Sequence, residues 1–243
     1  MTVTGGRTPA VPSSPLADRV LERLTAVYPA DADPERAAPM RAYMRDVAPF
    51  LGLTSPVRRA LSRTVLRGVP RPGEADCAAI ALRCWRLPER EYRSTDDAAV
   101  DLLRRHVSVL TPGFLPVVRH LVTTVPWWDT VDLLAAHVVG GLVAAGPRLG
   151  AEMDAWIEDD DRWLVRAALL HQLRYKERTD TARLFAHCLR RADHDDFFVR
   201  KAIGWSLREY AKTDPEAVRG FVAAHRERLA PLSVREALRA VGP

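Results

Sequence analysis

The sequence predicts an all-α protein, an α-solenoid of stacked antiparallel helical hairpins of the HEAT-like kind. Three observations predict it. Apolar residues recur with a helical period through nearly all 243 residues, and strand-like alternation never persists beyond a few positions. The helices so marked are short and follow one another through brief connections. Successive hairpins are spaced by about 35–40 residues, near the length of a HEAT-type repeat. A stack of this kind curves and offers an extended ligand a concave face, here expected to be basic.

Residues 1–15 carry Thr, Gly, Pro and Ser without an apolar core and are expected to form a disordered leader, with 16–243 a single domain. Helices are predicted over 16–28, 35–46, 56–67, 74–86, 89–107, 113–123, 127–145, 149–157, 160–176, 179–191, 196–212, 214–226 and 233–241. Ser55-Pro56, Thr111-Pro112 and Asp214-Pro215 each place a capping side chain before a proline suited to the first helical position. Ser233 with Glu236 has the spacing of a capping box.

With 47% hydrophobic residues the chain can bury a sizeable core. Thirty-six Lys and Arg against 31 Asp and Glu give a net charge of +5, a mild excess whose distribution matters more than its size. Cys77, Cys84 and Cys188 form no CxxC pair and are expected to be buried, reduced thiols in a cytoplasmic protein. No run of the sequence approaches the roughly 18 apolar residues of a membrane span, so no membrane association is expected. The phosphate loop GxxxxGK[ST], the GxSxG elbow and HExxH do not occur. His187-Cys188 with His194-Asp195 lacks a second spaced ligand pair, so no metal is expected either.

Three segments carry candidate chemistry. In FFVRKAIGWSLREYAK (197–212), Val199, Ile203, Leu207 and Tyr210 share one stripe at 100° per residue and read as core. Lys201, Trp205, Arg208 and Lys212 share the opposite stripe, an aromatic among three cations, which suits a polyanion. In PWWDTVD (126–132), Trp128 and Asp132 stand four apart on one face, continued by the smaller Ala135 and Val139, which would let a ligand approach. Asp132 has no cation at i±3 or i±4, making it a candidate acid, base or electrostatic stabiliser. Arg166 lies in the apolar run of RWLVRAALL and requires an anion, either an internal carboxylate or a phosphate.

Read together, MRAYMRDVAPFLGLTSPVRR (40–59), RLPEREY (86–92), PWWDTVDLLA (126–135), RWLVRAALLHQLRYKERTD (162–180), FFVRKAIGWSLREYAKTDPEAVRGFV (197–222) and PLSVREAL (231–238) resemble the HEAT-like-repeat DNA alkylation-repair glycosylases, or alkylpurine DNA glycosylases. The resemblance runs from about residue 16 to the C-terminus; WWDxVD and RKAIGWxLREY are its specific strings, whereas 140–160 gives little family signal.

The resemblance implies hydrolysis of the N-glycosidic bond of purines alkylated at N3 or N7, as base excision repair, without extrusion of the base. Asp132 would oppose the positive charge on base and sugar and position water. Trp128 and Trp205 would lie against the deoxyribose. Arg166 would fix a backbone phosphate and help hold Asp132. Lys201, Arg208 and Lys212 would clamp phosphates, with Tyr43 a further backbone contact. Water is the only co-substrate, so no cofactor is implied, and a monomer acting on alkylated double-stranded DNA is expected. Two other readings fit the residues less well. A non-catalytic nucleic-acid-binding helical-repeat module gives Asp132 no role, since an acid facing phosphates weakens binding. A protein-binding adaptor calls for an apolar or acidic groove. Within the enzyme reading, small methyl adducts and self-resistance against a bulky alkylating natural product both remain open.

Overall fold

A computed structural model describes residues 8–86, 93–239 and 241. Among them all regular structure is helical, as the periodicity predicts. The match RLPEREY, after its first residue, and the start of the helix predicted over 89–107 fall outside the described residues. Contacts gather the chain into two compact units, Met1–Thr130 and Val131–Pro243.

The first unit holds α1 (Pro15–Ala30), α2 (Pro34–Tyr43), α3 (Ser55–Val65), α4 (Glu74–Cys84), α5 (Arg93–Arg105), α6 (Leu115–Thr123) and the opening of α7 (Trp128–Leu133). Its core includes Tyr28, Ile80, Leu82, Leu103, Phe114 and Leu121. Helix α4 is buried from Cys77 to Leu82, and its alanines let neighbouring helices close in on every side. The N-terminal segment is anchored further forward than the expected leader of 1–15. Ser14 is buried, caps α1 by accepting from the Ala17 amide at 2.9 Å, and donates to Asp76 at 2.6 Å. Upstream of it, the Pro9 carbonyl accepts from Arg86.

The second unit holds the rest of α7, a π-helical segment Leu134–Val139, then α8 (Gly140–Ala145), α9 (Gly150–Trp156), α10 (Arg162–Leu170), α11 (Thr181–Arg190), α12 (Phe197–Tyr210), α13 (Pro215–Ala224) and α14 (Pro231–Leu238). The helix predicted over 127–145 is thus one helical run with a π segment inside it. Trp128–Ala145 reaches 18 residues and is apolar enough for a membrane span, contrary to the expectation from composition; half of it is buried inside the protein, as in a core helix. Ala135 and Val139, expected to leave room for a ligand, are fully buried core residues.

Helix α10 ends at Leu170, six residues before its predicted end. The turn that follows has its own side-chain fastenings. The Gln172 amide accepts from the Asp180 backbone N–H at 2.7 Å and donates to the Asp180 carbonyl at 3.2 Å, while the Tyr175 hydroxyl donates to the Gly140 carbonyl at 2.7 Å. A Cβ at Gly140 would stand 2.3 Å from the His171 carbonyl oxygen, so only glycine admits this packing.

The predicted starts fare unevenly. Asp214 caps α13 through the Ala217 amide at 2.9 Å. Thr54, not Ser55, is the N-cap of α3. Thr111 gives its backbone N–H and its hydroxyl to Glu74 instead of capping. Ser233 and Glu236 form no capping box, because α14 begins at Pro231 and carries both side chains into the interface with α12.

Candidate active site

Asp132, the fifth residue of α7, lies in the second unit, where α10 brings Arg166 to it. The Arg166 Nε donates to Asp132 Oδ1 at 2.6 Å and Nη2 to Oδ2 at 2.9 Å, a fork that fixes the plane of the carboxylate. The third nitrogen, Nη1, donates to the Phe198 carbonyl at 2.5 Å in the first turn of α12. Arg166 is buried, 3% exposed along its side chain, whereas Asp132 keeps 13%. Removing two charges from water costs several kcal/mol per ion, so such a pair is weak evidence for stability alone. It does hold a carboxylate in one orientation at an accessible edge.

The first turn of α12 is itself held to α10. Asp196 caps the helix by accepting from the amides of Phe198 at 2.7 Å and Val199 at 3.2 Å. Arg162, one turn before Arg166, donates to the second oxygen of Asp196 at 3.0 Å. The Phe198 ring lies 5.1 Å from that of Trp163, with the guanidinium carbons of Arg162 and Arg166 at 5.9 and 5.8 Å from its centroid. Each polar group around Arg166 is therefore fixed by a neighbour.

Along α12, Val199, Ile203 and Leu207 are fully buried, as their stripe predicts. Tyr210 is only half-buried, and its hydroxyl accepts from Thr181 at 2.9 Å. Trp205 is half-buried. The three cations sharing its stripe differ in their engagements. Lys201 is exposed, with its ammonium 5.6 Å from the centroid of the exposed Phe197 ring. Arg208 is ion-paired with Glu236, and Lys212 bonds Glu209 at 2.6 Å. Lys212 also lines a cleft of about 270 Å³ whose floor includes Leu169, Gln172, Ser206 and Tyr210.

In the first unit, Trp128 opens α7 and is half-buried. Tyr43, 74% exposed at the end of α2, meets it edge-to-face at 6.2 Å between ring centroids. Val125, three residues before Trp128, is exposed and has φ of 47°, a conformation that strains a β-branched residue. The polar cluster at 187–195 disperses. His187 Nε2 pairs with Asp154 at 2.9 Å, and Cys188 is buried beside Ser206.

Two participants escape a reading of the residues alone. The Phe198 carbonyl is a backbone group and leaves no compositional trace. Glu236 has the right spacing for a capping box, and only the burial of α14 against α12 redirects it to Arg208.

The model of the family described as DNA alkylation repair enzyme matches residues 24–241. The chain belongs to this family. Among solved structures, a protein described as a predicted DNA alkylation repair enzyme from Enterococcus faecalis is similar over 87% of this chain and 97% of its own, with 28% identity and a TM-score of 0.78. No curated protein matches. As a member of the DNA alkylation repair enzymes, this protein has a role in DNA repair, and the Asp132–Arg166 pair lies well inside the matched residues.

Proposed function

We propose that this DNA alkylation repair enzyme is a glycosylase that hydrolyses the N-glycosidic bond of cationic N3- or N7-alkylated purines in duplex DNA. The observation that carries the reading is the bidentate clamp of Arg166 on Asp132. Alkylation at N3 or N7 makes the purine a cationic leaving group, so the C1′–N bond breaks toward an oxocarbenium-like sugar. A fixed carboxylate opposes that developing charge at no reorganisation cost during the reaction. It also accepts a hydrogen bond from the water that adds to C1′. The products are free alkylpurine and an abasic site.

The remaining residues have supporting roles. Trp128 and Trp205 offer π faces to the cationic sugar. Arg166 acts through Asp132, because in the free protein each of its three nitrogens is engaged inside the fold. Lys201, Arg208 and Lys212 meet backbone phosphates, and Tyr43 makes a further backbone contact. The reaction leaves the base in the stack, so bulky adducts are substrates as well as methyl groups. The test is incubation of the protein with a duplex bearing a single 7-methylguanine and an undamaged duplex of the same sequence. Free 7-methylguanine and an alkali-labile abasic site are expected only from the first. Binding of both duplexes with no base released from either a 7-methylguanine or a bulky N3-adenine adduct would leave a binding module instead.

A further inference from the structure

We infer that Glu236 on α14 is a positioning residue of the active site, acting through Arg208; the inference rests on the glycosylase reading above. Glu236 is 5% exposed, an unusual place for a carboxylate without a cationic partner. It has two. Arg208 Nη1 donates to its Oε2 and Arg239 Nη1 to its Oε1, the latter at 2.9 Å. The trio carries a formal net charge of +1, so the buried acid leaves a cationic outer surface. Arg208 keeps 26% of its side chain exposed, with one nitrogen fixed inward. It lies three residues after Trp205, on the same stripe of α12.

The local packing is built for this contact. A Cβ at Gly204 would stand 2.5 Å from the Glu236 Cβ and 2.8 Å from the Ser233 carbonyl oxygen, so the glycine beside Trp205 lets α14 approach closely enough for Glu236 to reach Arg208. Ser233 secures the same approach by donating to the Arg200 carbonyl at 2.8 Å. A free arginine side chain samples many rotamers, and one held at a single nitrogen is already oriented when DNA arrives. In this arrangement Glu236 sets the direction of Arg208's remaining donors, and with it the placement of the damaged strand against the sugar-facing residues.

Orientation and charge make opposite predictions for Glu236→Gln, and that separates them. Losing a negative charge favours DNA binding, whereas replacing the charge-assisted anchor by the single neutral acceptor of glutamine loosens Arg208 and slows the reaction of bound DNA. Single-turnover release of 7-methylguanine at saturating full-length protein is measured for wild type, Glu236→Gln, Arg208→Ala and the double variant, beside affinity for undamaged duplex. The expected result is a roughly tenfold slower release for Glu236→Gln with affinity equal to wild type or tighter. In the Arg208→Ala background the same substitution changes the rate less than twofold. An unchanged rate, or an equal fall in both backgrounds, overturns the inference while wild-type activity upholds the glycosylase reading. A wild type that releases no base removes both. Should Glu236→Gln fail to fold by circular dichroism, Glu236→Asp takes its place, keeping the charge but falling one methylene short of Arg208.

Discussion

Arg166 engages three kinds of partner: a carboxylate through both its oxygens, a main-chain carbonyl and an aromatic ring. Truncating it leaves the Asp132 charge, only 13% exposed, without its clamp, and breaking a largely buried pair in this way costs about 3–5 kcal/mol. Arg166→Ala is therefore expected to lower unfolding stability by that amount in urea titrations, well beyond the effect of an exposed arginine. A loss below about 1 kcal/mol would mean that water already screens the pair. The need for an anion at Arg166 was legible from the apolar run around it. Its identity was not, because Asp132 stands 34 residues away and the pairing depends on how α10 packs. Trp128, Trp205 and Asp132 were readable as site candidates from helical spacing, whereas the Phe198 carbonyl was beyond reach of any side-chain pattern.

The helices themselves followed from apolar periodicity, proline and capping residues, and the departures occur where tertiary contacts override local signals. Helix α10 stops where Gln172 binds both backbone groups of Asp180, an interaction across eight residues that periodicity does not register. Helix α14 starts before Ser233 because burial against α12 outweighs a capping box. At that interface, Gly204→Ala forces a Cβ into the Glu236 Cβ and the Ser233 carbonyl, and overpacking of this kind costs about 1–3 kcal/mol. Thermal unfolding is the check, and an unchanged melting temperature would show that α14 can slide away. His171 at the end of α10 makes a pH-dependent prediction. Burial holds it down at a pKa of about 4, with the His187 ring and Arg183 adding in the same direction and the Ala168 carbonyl and Asp154 opposing. The unfolded chain takes up a proton near pH 6.5 and the folded one does not until about 4, so this contribution is present above 6.5 and is lost as pH falls toward 4. At about 1.4 kcal/mol per pH unit the loss approaches about 3 kcal/mol. His171→Gln should flatten the stability profile across that window; an identical slope would place the titration elsewhere.

At the scale of the whole molecule, many of the charged side chains engage one another in ion pairs, which is why the net charge of +5 alone was a poor guide to the ligand. Lys201 is exposed, so it should contribute a full phosphate contact, while Lys212 must first leave Glu209. Each phosphate neutralised adds about −0.9 to the slope of log affinity against log salt. Lys201→Ala is expected to make that slope shallower by about one for undamaged duplex, and an unaltered slope would remove Lys201 from the DNA-binding surface. The all-α class was fully legible because helical period, short connections and proline-marked starts agree along the chain. The division of contacts into two units was not, since the boundary at Thr130 falls inside α7, where the sequence shows no linker. The role of the Asp132 carboxylate is tested by single-turnover release of 7-methylguanine by Asp132→Asn, with duplex affinity measured alongside. Asparagine keeps the shape and one acceptor for Arg166 but not the charge. Release is expected to fall by about a hundredfold or more, as when a preorganised electrostatic group is lost, while affinity holds or tightens. Release within a few-fold of wild type, at equal affinity, would contradict that role.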